Sequence, residues 1–374
     1  MLVAADKFKG SLTAVEVAEH VSEGLRRVVP GLEVESVPVA DGGDGTVAAA
    51  LAAGFSRHEV SVSGPTGEPV EATFALDRQG TAVVEMAEAS GLRHLPQGVF
   101  APLTATTRGT GELVRAALDA GATTLVLGVG GSATTDGGAG MLTALGARLL
   151  TADGRPVGPG GGGLRDLHTA DLSGLDPRLA ATEVILASDV DNPLTGPKGA
   201  PAVYGPQKGA APEDVALLDA ALTHYAKVLE EAVGERAARS AEAPGAGAAG
   251  GIGYGALVGL DAVFRPGIDV MFEVLGFAPA LERASFVITG EGSLDEQTLH
   301  GKAPAGVAAA ARKRGLEVAA VCGRATLSAQ ALREAGISAA YALLDVEPDP
   351  ARCMAQAGPL LADAAERLAR DFLV

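Results

Sequence analysis

The chain has 374 residues, 47% of them hydrophobic, and a formal net charge of −17. That length exceeds what one hydrophobic core usually serves, so two domains are expected. The acidic surplus repels phosphate backbones, and 3% aromatics with no Trp leave few platforms for stacking bases, which argues against a nucleic-acid partner. Cys322 and Cys353 have no metal or redox spacing. No signal peptide, polybasic patch or apolar run of ~20 residues is visible, so a cytoplasmic protein with no membrane partner is expected.

In chain order, MLVAAD (1–6) reads as a short buried strand. Residues 11–29 read as a helix: Thr13 and Glu16 form a capping-box pattern, and Val17, Val21, Leu25 and Val28 recur at helical spacing. GLEVESVPVA (31–40) is the next strand. VEATFAL (70–76) and TAVVEMAEA (81–89) have the period of paired strands. TGELVRAALDAG (110–121) is a helix closed by Gly121, TTLVLGVGG (123–131) a strand running into a Gly-rich loop, and GAGMLTALGARLL (138–150) the helix after it. TEVILASDV (182–190) is a buried strand, and 212–240 a long helix or helix pair. ASFVITGEG (284–292), LEVAAVCGR (316–324) and SAAYALLDV (338–346) are strands, and 359–373 is a closing amphipathic helix. Strands alternating with helices predict an α/β fold with largely parallel sheets. The runs 156–164 and 243–255 are Gly-rich and read as a hinge, a lid or a plain loop.

Ligands in such folds bind at the carboxyl ends of strands, and the unusual motifs sit there: Asp6–Lys9, Asp41–Thr46, Gly128–Gly138, Asp189–Asn192 and Gly290–Asp295. GVGGSATTDGG (128–138) lies between a strand and a helix, where freed backbone N–H groups and the helix N-terminus suit an anion, with hydroxyls from Ser132, Thr134 and Thr135. The alternative is a tight turn whose glycines only permit close packing. No Walker A pattern occurs, and GAGAAG (245–250) matches a dinucleotide fingerprint only literally, since no strand leads into it. Thr106, Thr107 and Thr110 either cap the next helix or contact an anion.

Only seven lysines occur, yet Lys7, Lys9, Lys198, Lys208 and Lys302 all fall in Gly-rich loops, where a mobile point charge suits phosphate. Asp189 and Asp191 with Asn192, and Glu291 with Asp295, offer hard oxygen ligands suited to Mg²⁺ or a substrate hydroxyl. The six histidines are scattered, with no zinc-hydrolase spacing, and no nucleophile elbow occurs. Anion-suited backbone together with carboxylates is what phosphoryl transfer requires.

The stretches DKFKGSLTA, PVADGGDGT, TTRGTGEL, GVGGSATTDGGAG, SDVDNPLTGPKGA, YGPQKGA, AGGIGYG and TGEGSLDEQTLHGKAPAGVA occur in this order. Together they resemble the bacterial glycerate kinases of the type I family over nearly the whole chain. The resemblance implies ATP- and Mg²⁺-dependent phosphorylation of D-glycerate, generally to 2-phosphoglycerate. It implies two α/β domains with the site in their cleft: a discontinuous Rossmann-like domain (1–62 and 285–374) and an inserted flavodoxin-like domain (63–284).

Carried onto this chain, the resemblance makes Asp189 the carboxylate that orients or deprotonates the glycerate hydroxyl, with Lys7 and Lys9 catalytic beside it. Asp191 ranks lower, because its position varies in the family. Gly130, Gly131, Ser132, Thr134, Asp136, Gly137, Lys208 and Lys302 would hold the nucleotide. Asp41, Gly42, Gly43, Asp44, Thr107, Asn192, Glu291 and Asp295 would hold the substrate, and Asp189 and Glu291 the Mg²⁺. Arg108 stands where the family often shows an aromatic. The 3-phosphate product and a non-catalytic sugar-acid or nucleotide sensor remain as rivals, and a homodimer is left open.

Overall fold

The computed structural model describes residues 1–299 and 302–374. His300 and Gly301, inside the last motif, lie outside the described residues. The strands are β1 (Leu2–Ala5), β2 (Glu35–Ser36), β3 (Ser56–Ser63), β4 (Pro69–Leu76), β5 (Thr81–Glu85), β6 (Thr124–Gly128), β7 (Arg148–Leu150), β8 (Thr169–Asp171), β9 (Glu183–Ala187), β10 (Val263–Arg265), β11 (Val287–Leu294), β12 (Val318–Ala325) and β13 (Ala339–Ala342). The fold is α/β, as the alternation of apolar runs and amphipathic helices predicts. Among the described residues no helix is long and apolar enough to cross a membrane.

The chain divides into two compact units. The first comprises Met1–Asp41, Ala48–Gly54 and Ile268–Val374. Its sheet runs β13-β12-β11-β1-β2 and is parallel throughout. Successive residues of β1 enter opposite cores: Leu2 and Ala4 join one cluster, Val3 and Ala5 the other. Both faces are therefore covered, which is why these strands read as continuous apolar runs rather than alternating ones. The helix Ala14–Val28 has the predicted capping box, and its Val17, Val21 and Leu25 are buried. It shares its cluster with Leu361, Ala365 and Leu368 of the closing helix Ala357–Phe372.

The second unit comprises Gly42–Val47 and Phe55–Gly267. Its main sheet runs β10-β9-β6-β5-β4-β3. The strands from β5 to β10 are parallel, and β3, β4 and β5 pair antiparallel. A separate antiparallel pair joins β7 and β8.

Two elements depart from the sequence expectation. The predicted helix over 138–150 stops at Ala144, because Gly146 has φ +113°, and the chain goes on as β7. Residues 31–40 contain only two ladder residues in β2, although Val37 and Val39 still donate to Val3 and Ala5. The stretch 212–240 is a helix pair, one of the two forms its sequence allows: Pro212–Val233, then Glu235–Ala241 past Gly234 at φ +80°. In the run 245–250, Gly250 packs against residues 134–137: it accepts from the Gly137 N–H at 3.1 Å, and a Cβ on it would lie 1.9 Å from the Thr134 carbonyl oxygen.

Candidate active site

In the first unit, carboxylates gather where β1 ends. The register Ala5↔Gly290 puts Asp6 and Glu291 one step past a shared ladder position, and the Asp6 N–H donates to the Gly290 carbonyl at 2.8 Å. Asp41 follows the segment whose Val39 N–H donates to Ala5. Burial pushes the Asp6 carboxyl up to about 7, and the charges of Asp41 and then Glu291 add to this; Lys7, by its charge and its N–H at 2.7 Å from Oδ1, opposes it. Glu291 is 6% exposed. It accepts from the Thr298 hydroxyl at 2.6 Å and pairs with Lys302 Nζ at 3.3 Å. Burial still leaves its pKa raised. Asp295 closes the adjoining turn, accepting from the Ser293 hydroxyl and the Gln297 N–H. Lys9 is exposed at the tip of the 6–12 loop. The sequence-predicted Lys7, Asp41, Glu291 and Lys302 thus share one cluster with Asp6, which sequence reasoning had placed in a motif but given no role.

In the second unit, the segment 42–47 lies across the ends of three parallel strands. Glu85, Gly128 and Ala187 occupy the same level of β5, β6 and β9. Gly42, at φ +81°, sits over β9: a Cβ there would lie 2.9 Å from both the Ala187 carbonyl oxygen and Gly267 Cα. Its own carbonyl accepts from Val129 at 3.1 Å. Gly130 meets Gly43 and Asp44 so closely that a Cβ would lie 2.6 Å from Gly43 Cα. Over β5, Glu85 Oε2 accepts from the N–H groups of Gly45 (3.0 Å) and Val47 (3.4 Å). Gly42 of DGGDGT is therefore required for close approach to a strand end.

Glu85 is 1% exposed, and its Oε1 is buried without a partner among the described residues. Burial first, then Asp44 and Glu88, push its pKa up, and Arg93 opposes them. Arg93 also pairs with Glu88 and lies 3.9 Å from Asp44. Sequence reasoning missed Glu85; the signal was a carboxylate closing an apolar strand, in TAVVE.

The 128–138 loop divides in two. Gly131 is exposed and Gly130 half-buried, whereas Ser132 to Ala139 are buried. Asp136 is enclosed and accepts from five donors: the N–H groups of Thr107 (2.8 Å), Gly138 (3.1 Å) and Gly140 (3.2 Å), and the hydroxyls of Thr107 (2.9 Å) and Thr106 (3.4 Å). Burial raises its pKa and these donors pull it back. Thr107 also accepts from Met141 N–H at 2.9 Å, so its hydroxyl serves the helix Ala139–Ala144 and not its own. The hydroxyls of Thr134 and Thr135 are buried without partners among the described residues. Lys208 is 1% exposed and donates to the Thr134 carbonyl at 2.6 Å. Of the residues expected to hold a nucleotide, Gly130 and Gly131 lie at the outer edge, with the buried Ser132 directly behind them. Thr134, Asp136, Gly137 and Lys208 are buried behind it.

Beyond β9, Asp189 is exposed and accepts from the Gly267 N–H at 2.9 Å. Asp191 is exposed beside Tyr204, whose hydroxyl donates to Asn192 Oδ1 at 2.5 Å. Asn192 Nδ2 donates to the Lys198 carbonyl at 2.8 Å, so its amide braces the 192–204 loop. Among the described residues no group of three or more His, Cys, Asp or Glu side chains is arranged to hold a metal by itself.

The glycerate kinase family model matches residues 1–373. The chain is 48% identical to a glycerate kinase of Bacillus subtilis strain 168, over 92% of this chain and 90% of that one. It is 45% identical to the glycerate 2-kinase of Escherichia coli K12, over 92% and 90%. The crystal structure of a candidate glycerate kinase 2 from Salmonella typhimurium LT2 superposes with a TM-score of 0.86 at 40% identity, over 100% of this chain and 97% of that one. With the match running from end to end in both sequence and fold, the chain belongs to the glycerate kinase family.

Proposed function

We propose that this protein transfers the γ-phosphoryl group of ATP to D-glycerate and yields 2-phospho-D-glycerate. The observation that carries the reading is full-length membership of the family, together with the 45% identity to a relative named glycerate 2-kinase. The two clusters of the units supply what such a reaction needs, since phosphoryl transfer is catalysed mainly by positioning and charge neutralisation.

In our reading the glycerate hydroxyl gives its proton to Asp6. That carboxyl is held at a strand end and titrates at about 7, close to the working pH of a general base. Lys7 and the exposed Lys9 bind the substrate carboxylate or the transferring phosphoryl group as point charges. Asp41 keeps the Asp6 site electronegative, and Lys302 neutralises Glu291. The turn Gly130–Ser132 takes a phosphate of the nucleotide. The Mg²⁺ bound with ATP would neutralise charge on the β- and γ-phosphates; the exposed Asp189 suits a hydrated ion better than the buried, Lys302-paired Glu291. Cys322 and Cys353 are free and buried, which agrees with a cytoplasmic setting.

Phosphorus NMR of the purified protein with ATP, Mg²⁺ and D-glycerate tests the reading. The expected product resonance is that of 2-phosphoglycerate. A 3-phosphoglycerate resonance overturns the regiochemistry, and absence of any product overturns the kinase assignment.

A further inference from the structure

Lys208 belongs to a Gly-rich motif of the kind that holds phosphates, but its surroundings give it another task. It ends the short turn Pro206–Lys208 and is 1% exposed. Its Nζ donates to the Thr134 carbonyl at 2.6 Å. The charge acting on it is that of Asp136, and burial draws its pKa down to about 7. Burying a lysine is costly, and an apolar side chain of similar length would serve packing alone at least as well. The ammonium is therefore to be explained by what it holds.

What it holds is the inner half of the 128–138 loop. Asp136 ties that half to Thr106, Thr107, Gly138 and Gly140. The Gly137 N–H donates to Gly250, and the Ala133 N–H to Ser90. Lys208 adds the attachment at Thr134. The outer half differs: no described residue accepts from the N–H groups of Gly130, Gly131 or Ser132. A loop anchored by its carbonyls and inner amides presents its outer amides in a fixed direction.

We propose that Lys208 is a positioning residue for the Gly130–Ser132 turn, acting on bound phosphate through the Thr134 carbonyl and not by touching it. The inference rests on the nucleotide reading of that turn given above. Two measurements separate it from the rival roles. The first is calorimetric binding of ATP, ADP and AMP to wild type and to Lys208→Met. The second is hydrogen exchange of the nucleotide-free proteins over 130–138.

The expected result is a weakening of ATP and ADP by a similar factor, at least ~10-fold, with faster exchange confined to that loop. An effect that grows steeply from ADP to ATP with unchanged exchange would make Lys208 a direct phosphate ligand and overturn the proposal. So would unchanged binding of all three nucleotides. Should Lys208→Met fail to fold, Lys208→Gln, which keeps a polar donor of shorter reach, is read in the same way. Wild-type protein that binds no nucleotide would overturn the nucleotide reading and this inference together. Wild-type binding with an unaltered Lys208→Met profile would overturn this inference alone.

Discussion

Replacing Asp6 by Asn should make the protein more stable and less active, and the gain in stability should depend on pH. A carboxyl moved from 3.8 to about 7 carries a cost of about 4 kcal/mol in its charged form, at ~1.4 kcal/mol per pH unit. Because the folded pKa lies above the unfolded one, the stability this group contributes is fully present below 3.8 and is lost as pH rises through about 7. Linkage over that range gives a loss of about 3 kcal/mol between about pH 5 and about pH 8.5, from this residue alone. Asn does not titrate, so the advantage of Asp6→Asn over wild type should widen by about that amount across the same interval. Urea unfolding followed by circular dichroism measures it; the chain has no Trp for fluorescence. In parallel kcat should fall by ~10² or more, the usual scale for a lost general base, and wild-type kcat/KM should rise through about pH 7. A stability difference that stays constant with pH would refute the buried, raised carboxyl. A wild-type kcat in Asp6→Asn would refute its role as proton acceptor.

Three further changes probe the second unit. Asp189→Asn should lower kcat far more than it raises the KM for ATP, and should raise the Mg²⁺ concentration needed for half-maximal rate; a wild-type kcat would remove Asp189 from the reaction. Glu85→Ala leaves the Gly45 and Val47 amides without their acceptor and should destabilise by about 2–4 kcal/mol in urea unfolding, from lost hydrogen bonds and a new cavity. An unchanged urea midpoint would mean that Glu85 does not clamp the 42–47 segment. Gly42→Ala places a Cβ 2.9 Å from the Ala187 carbonyl at φ +81°, and should cost at least ~2 kcal/mol; thermal unfolding at the wild-type temperature would contradict the close packing of that segment on β9.

The strands of the α/β fold were legible because a parallel sheet covered on both faces reads as runs such as LVAA and VILA, bounded by glycine. The helix Ala14–Val28 was legible from its capping box. Less could be read from the glycines themselves. Gly130, Gly137 and Gly250 serve close packing, while Gly131 is exposed on the outer turn, yet all four appear in sequence as members of Gly-rich loops. What separates them is which atoms lie opposite, and those come from distant parts of the chain: Thr134 against Gly250, Tyr225 against Gly137. The same limit hid Asp6, whose raised pKa comes from burial and then from Asp41 and Glu291 at the end of β1, and it made Lys208 look like a loop cation free to meet phosphate.

The motif DGGDGT joins these two kinds of use within six residues. Asp41 belongs to the first unit and shifts Asp6; Gly42 to Val47 belong to the second and cover Ala187, Gly128 and Glu85. Gly42 is fixed by the backbone it must approach, and Asp41 by the charge it places beside Asp6. A substitution at Gly42 should therefore register first as lost stability, and one at Asp41 first as a downward shift in the pH dependence of catalysis. That contrast separates the two roles within one motif.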